Sequence, residues 1–305
     1  MCSSDLAAHA VLGQTLCLQG DYATARTHLE HGIALIDPAV ERTLVLSHGF
    51  APGVMCLAYT ALALWSLGFP AQAVERAQEA LALAQELAHP LSLAMAQQWI
   101  AFLYARRREI PVVQALADAL LTLATTQGFP HYTGIGMYIR GWALAAQGQG
   151  AAGIAQMQQV VMAAGFASRQ PQTILLIPLA EALGHAGQVA DGLRLLAEAL
   201  TGIAVMGADD LLADAYRLQG ELLLRQAIPE VAQAEACFQQ ALAVARRQQA
   251  KAWELRAAIS LSRLWQQQGK RDAARQLLAP IYEWYTEGFD TTDLQEARTL
   301  LEELA

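Results

Sequence analysis

The sequence predicts an all-α chain: a right-handed superhelical α-solenoid of about seven helix-turn-helix hairpins closed by a C-terminal capping helix. Three observations carry this. Pairs of small residues twelve positions apart recur about every 40 residues through the whole of a 305-residue chain. Alanine and leucine, both strong helix formers, are the commonest residues, and 54% of the chain is hydrophobic. No apolar run reaches the ~18 residues needed to cross a bilayer, so that hydrophobic excess must be buried between helices.

The first hairpin, 3–37, is the clearest. Leu12-Gly13, Leu16, Gly20-Asp21-Tyr22, Ala25, Leu29, Gly32 and Pro38 mark two helices and a tight turn. Gly13 and Ala25 are its small pair. The spacing returns as Ala61 with Ala73, Ala101 with the slightly larger Val113, Gly141 with Gly153, Ala180 with Gly192, and Ser262 with Ala274. Gly220 with Ala234 fits after a two-residue insertion near Pro229. Antiparallel helices approach backbone to backbone only where both present small side chains. Three residues after each first small position a large apolar residue fills the space between hairpins: Leu16, Leu64, Tyr104, Leu144, Leu183, Leu223, Trp265.

The pairs divide one solenoid, 1–305, into hairpins 3–37, 53–88, 90–128, 130–166, 171–206, 209–248 and 250–288, with a cap helix at about 291–304. Pro70, Pro90, Pro111, Pro130, Pro171 and Pro229 fall where helices should begin, which proline suits. Pro38 and Pro52 bracket a longer connection, 39–51. Pro178 and Pro280 lie inside expected helices and should kink them. The charged cap, with Glu296, Arg298, Glu302 and Glu303, suits a lid over the last apolar face.

This pattern resembles the tetratricopeptide repeat. Hairpin one matches nearly every family position, while the later repeats are more weakly matched and longer than the family's usual period. Long repeats of this kind are similar to the MalT-like helical region of large bacterial signal-transduction ATPases. A closer resemblance rests on Gly68-Phe69-Pro70, Gln78 to Ala84, Arg140-Gly141-Trp142-Ala143-Leu144, Ala234 to Ala241, and the run Ala279-Pro280-Ile281-Tyr282-Glu283-Trp284 through Glu287-Gly288-Phe289-Asp290 to Ala297. These look like the C-terminal repeat region of bacterial proteins that join a class III adenylate/guanylate cyclase domain to an ATPase domain. The resemblance covers essentially the whole chain. It implies that the chemistry lies in upstream domains, so no catalytic residue carries over. It also implies a C-terminal part of a longer protein, or a stand-alone relative of one.

The residues themselves point the same way. Net charge is −8, against a general nucleic-acid binder. The four cysteines, Cys2, Cys17, Cys56 and Cys237, lack metal-site spacing and read as cytoplasmic thiols. Gly148-x-Gly150-x-x-Gly153 is a formal dinucleotide motif, but no strand precedes it and no acidic residue follows in reach, so it reads as a hairpin turn. No P-loop, nucleophile elbow or zincin motif occurs. His28 and His31 share a helix face with no third ligand beside them; His9, His48, His89, His131 and His185 read as caps or solvated groups. No catalytic, cofactor or metal residue is expected, and no cofactor. The chain is expected not to be an enzyme, and no membrane partner is expected.

The candidate interaction surface is Arg106, Arg107, Arg108, Trp142, Val160, Arg246, Arg247 and Lys251. The three successive arginines complement a helix C-terminus or hold an anionic partner. Residues 246–275 hold eight basic and two acidic residues, and 283–305 seven acidic and one basic, so the last hairpin should dock the cap. Trp99, Trp142, Trp253, Trp265 and Trp284 read as core. Between Ala119 and Ala180 the only charges are Arg140 and Arg169, so hairpin four, with its glutamines, is expected to face a partner, a second copy or upstream domains. The expected function is a non-catalytic protein-interaction and regulatory module, the C-terminal sensor or scaffold of a bacterial signalling ATPase or cyclase. Its partners would be protein segments or the attached cyclase and ATPase domains. The alternative is a small-molecule-sensing solenoid of a transcriptional regulator. Lack of Asn and only two Lys depart from the family's carboxylate clamp.

Overall fold

The computed structural model describes residues 3–167 and 173–305; Cys2, Arg169 and Pro171 lie outside the described residues. Among those residues every regular element is helical. Contacts divide the chain into two compact units, 1–143 and 144–305, and the boundary falls within one helix.

The first unit opens with α1 (Ser3–Leu18) and α2 (Tyr22–Ile33). It continues through α3 (Pro38–His48), α4 (Pro52–Leu67) and α5 (Pro70–Glu86), then α6 (Pro90–Arg106) and α7 (Ile110–Gln127). The boundary lies in α8 (Pro130–Ala146). Helix α4 is hydrophobic all round and every one of its residues is buried. Helices α1, α2, α5 and α6 pack against it.

Helix α3 corrects the expectation of an open connection between Pro38 and Pro52. Its end signals are complete: Asp37 Oδ1 accepts from the Ala39 N–H at 2.8 Å, Pro38 starts the first turn, and Gly49 ends it at φ +78°. The repeat did not reveal it, because α3 stands outside the 40-residue period and buries only Glu41 and Leu44.

The second unit holds α9 (Gly150–Ala167), α10 (Thr173–His185) and α11 (Val189–Met206). After a 3-10 turn (Asp209–Leu211) follow α12 (Leu212–Leu224), α13 (Val231–Arg247), α14 (Lys251–Gln267), α15 (Arg271–Glu283) and α16 (Thr292–Glu303). Pro229 lies in the loop before α13 rather than at its start, and both α10 and α15 run on through their internal prolines. Phe238, Leu261, Leu278, Leu294 and Leu300 join four helices in one core.

All fourteen small-pair residues are buried. A Cβ on Gly192 would stand 3.0 Å from the Ala180 carbonyl oxygen, and one on Gly220 3.0 Å from that of Ala234. Ser262 Oγ donates to the Ala274 carbonyl at 3.2 Å. At these three pairs the two helix backbones meet, which is the approach that small side chains permit.

Within each unit the first helices of successive hairpins form one layer. Helix α1 touches α4 and α4 touches α6; α10 touches α12, α12 touches α14, and α14 touches α16. Second helices bridge to the next first helix, as α2 does to α4, α5 to α6, α11 to α12 and α13 to α14. Stacked hairpins of this kind bury a continuous core and leave one helix layer for display.

Candidate interaction surface

The display layer of the second unit carries a charged row that the repeat pattern did not single out. Asp214, Arg217 and Glu221 lie at i, i+3 and i+7 on α12, so they share a face. Arg217 is buried, 2.7 Å from both Asp214 and Glu221 and 3.9 Å from Glu181 of α10. Burial works against its charge, yet Asp214, Glu221 and Glu181 outweigh burial and hold the guanidinium above its ordinary range. Ser260 of α14 donates to Glu221 Oε1 at 2.9 Å. Burial acts to raise the Glu221 carboxyl, but Arg217 and this hydroxyl bring it below the usual carboxylate range. Glu181 and Glu221 remain partly open to solvent.

A second network closes the unit. Glu254 is nearly buried and pairs with Arg246 at 2.8 Å and Lys251 at 2.7 Å. These two cations offset its burial and lower its pKa. Arg256 pairs with Asp293 of α16 at 2.8 Å, with both side chains largely buried. Arg263 reaches Glu296 at 3.1 Å, and Gln266 donates to Glu303. The basic last hairpin thus docks the acidic cap helix. Between α14 and α16 an open polar cleft of about 440 Å³ is lined by Arg263, Gln266, Gln295, Glu296, Thr299 and Glu303, among others.

The sequence-named surface residues divide. Arg106 stacks over Trp65 at 5.8 Å. Arg107 is one-tenth exposed, pairs with Glu109 at 2.6 Å and donates to the Pro70 carbonyl at 2.8 Å, so it holds the hairpin turn. Arg108 is half-buried at φ +60°, at the turn position that glycine takes at Gly20, Gly68 and Gly148. A non-glycine residue there carries strain. Arg247 is exposed, 3.5 Å from Asp209, and Trp142 is half-buried. Arg246 and Lys251 spend their charge on Glu254, and Lys251 lies 5.4 Å from the Trp284 ring.

Val160 is a correction: it is only 9% exposed and belongs to the core side of α9. The exposed side chains of that helix include Gln158, Gln159 and Met162, because a register shift of one or two residues rotates a helix position by about 100–200°. Trp284 is a second correction, 40% exposed rather than core, whereas Trp253 is buried and the Trp99 ring packs tilted against Tyr59, 4.8 Å between centroids.

His9 of α1 approaches the α2 histidines, its Nδ1 lying 3.2 Å from Nδ1 of His28 and its ring 5.6 Å from that of His31. Among the described residues no group of three or more His, Cys, Asp or Glu side chains is arranged to hold a metal ion. Gly148 turns at φ +88°, Gly150 starts α9 and Gly153 is buried, as a hairpin turn requires. Cys17, Cys56 and Cys237 are buried thiols. Among the described residues no single helix is long and apolar enough to cross a membrane.

No family model matches the chain. No curated protein matches it. Solved structures do. A Rap protein complexed with Competence and Sporulation Factor superposes with a TM-score of 0.60 at 13% identity, over 99% of this chain and 88% of that one. Yeast Tom70 gives 0.52 at 12% identity, over 93% of this chain and 58% of its own. A Signal Transduction ATPase with Numerous Domains from Pyrococcus horikoshii, with a tetratricopeptide repeat sensor, gives 0.47 at 14% identity, over 97% and 43%. The fold is a helical-repeat solenoid of the tetratricopeptide type.

Proposed function

We propose that the chain is a non-catalytic protein-interaction and regulatory module, acting in the cytoplasm as the C-terminal sensor or scaffold of a bacterial signalling ATPase or nucleotide cyclase. The observation that carries this reading is the row Glu181, Asp214 and Glu221, held by buried Arg217 across α10, α12 and α14. Side chains already fixed in place lose little rotamer entropy when a partner arrives. Such a row recognises by shape and charge; it makes and breaks no bond. The Rap structure, complexed with Competence and Sporulation Factor, supports a ligand-binding role on this fold. The signalling context rests on the sequence resemblance, above all the segment from Ala279 to Ala297.

The repeat keeps its period through Ala143, which supports one cooperative solenoid over the whole chain. Arg108, strained at the turn of hairpin three, and exposed Arg247 are proposed as further contact residues. The test is direct binding, by calorimetry, of the chain to class III cyclase and ATPase domains of the resembling proteins. Micromolar binding weakened about tenfold by Glu221→Gln is expected. Absence of binding, with a specific metabolite hit in a thermal-shift screen, would favour small-molecule sensing instead. Cyclase or ATPase turnover by the chain alone would overturn the reading.

A further inference from the structure

Helix α3 interrupts the repeat and is held by very little. Only Glu41 and Leu44 of its residues are buried. Glu41 is 0% exposed. Its Oε1 accepts from the Gly53 N–H at 2.7 Å, at the first turn of α4, and its Oε2 has no hydrogen-bond partner. A Cβ at Gly53 would press on Glu41 Oε1 and on the Ile36 side chain, so the carboxyl lies directly against the α4 backbone. Among the described residues Glu41 has no ion-pair partner.

The groups around the carboxyl are few. On α4 the titratable neighbour is the Cys56 thiol, pushed up to about 12 by burial and by the charge of Glu41. The segment leading into α3 presents the Ile36 side chain beside Gly53. On α3 itself the adjacent Arg42 is exposed and the buried neighbour is Leu44. Burial raises the Glu41 carboxyl to about 7, although the Gly53 N–H works the other way. An ionised carboxylate here meets one amide and the positive end of α4, but keeps an oxygen desolvated and unpaired.

We propose that α3 is a proton-controlled latch on the N-terminus of α4, docked tightly while the Glu41 carboxyl carries its proton and loosened once it ionises. The docked helix favours the proton and the undocked helix does not. Docking therefore weakens as pH rises from the ordinary carboxylate value of 4.5 to about 7, and stays at its weakest above that. Loosening would uncover the apolar start of α4, Pro52 to Val54, which is otherwise buried.

Hydrogen–deuterium exchange on the full chain tests this, with rates corrected for the intrinsic effect of pH. Protection of residues 38–48 should rise about twentyfold between pH 7.5 and 5.5, while α14 changes little. Glu41→Gln should remove the dependence. Unchanged protection of α3 in the wild-type chain, or an equal change in α14, would overturn the latch even if the variant fails to fold. A dependence kept in a folded Glu41→Gln would overturn it too.

Discussion

The hydroxyl of Ser262 donates to the main-chain carbonyl of Ala274 across the α14–α15 pair, 3.2 Å away. Ser262 stands at the place that Gly192's partner Ala180 and Ala234's partner Gly220 take in other hairpins. The twelve-residue spacing is therefore a contact between two backbones. A side chain is tolerated there only if it is small, and a polar one only if it bonds to the facing backbone.

Gly220→Ala tests that contact. The added methyl would stand 2.6 Å from the Phe238 ring and 3.0 Å from the Ala234 carbonyl. A loss of about 1–3 kcal/mol in urea unfolding is expected from overpacking. Gly148→Ala meets nothing within 4 Å but sits at φ +88°, so about 1 kcal/mol of backbone strain is expected. A loss at Gly220→Ala well under about 1 kcal/mol would contradict the packing account.

Removal of α16 should destabilise the second unit. Leu294, Ala297, Leu300 and Leu304 are all under 5% exposed against α14 and α15. A chain ending at Gly288 should lose roughly 5 kcal/mol from apolar burial alone. Asp293→Ala should cost about 3–5 kcal/mol by removing the carboxylate that pairs with buried Arg256. Circular-dichroism melts that match the full chain would sink the docking of the cap.

Val160→Glu and Met162→Glu separate core from surface on α9. The first inserts a charge at a position 9% exposed and should unfold the unit or cost more than ~3 kcal/mol. The second replaces a side chain 62% exposed and should stay within about 0.5 kcal/mol. If light scattering shows self-association, Met162→Glu is the variant that reports on this face.

Cys56 should resist thiol reagents in the native chain. Its pKa of about 12 leaves about one part in ten thousand as thiolate at pH 8, against about a tenth for an ordinary thiol at 9.0. Labelling monitored by mass spectrometry should proceed at the rate of local unfolding. Prompt labelling of folded protein would rule out the burial of Cys56, whose Sγ lies against the Gly32 backbone and near Glu41.

Glu221 and Glu254 both have lowered pKa values in the folded state. Their stabilisation is fully present above the ordinary carboxylate value of 4.5 and is lost as pH falls below it. Glu221→Gln should flatten the acid limb of the stability curve. Identical acid midpoints for wild type and variant would show that the Arg217 network does not hold the layer.

The hairpins were legible because close approach imposes small residues at a fixed spacing, and proline and glycine mark helix ends by backbone geometry alone. The Arg217 row was half legible. Asp214, Arg217 and Glu221 show as a helical ion-pair pattern, but burial of the arginine depends on Glu181 and Ser260, which are 36 and 43 residues away from it in the chain. Helix α3 had local signals, Asp37, Pro38 and Gly49, yet no repeat partner to draw attention to it.

By itself the sequence determined the all-α class, the hairpin array and the charge split between the last hairpin and the cap, because periodicity and turn chemistry are local. Only the tertiary structure decided which way single side chains face. It turned Val160 inward and Trp284 outward, spent Arg107, Arg246 and Lys251 on Glu109 and Glu254, brought His9 to His28, and buried the Glu41 carboxyl of α3 against the start of α4. Those outcomes depend on how one helix is rotated against its neighbours, where one residue step moves a side chain by about 100°.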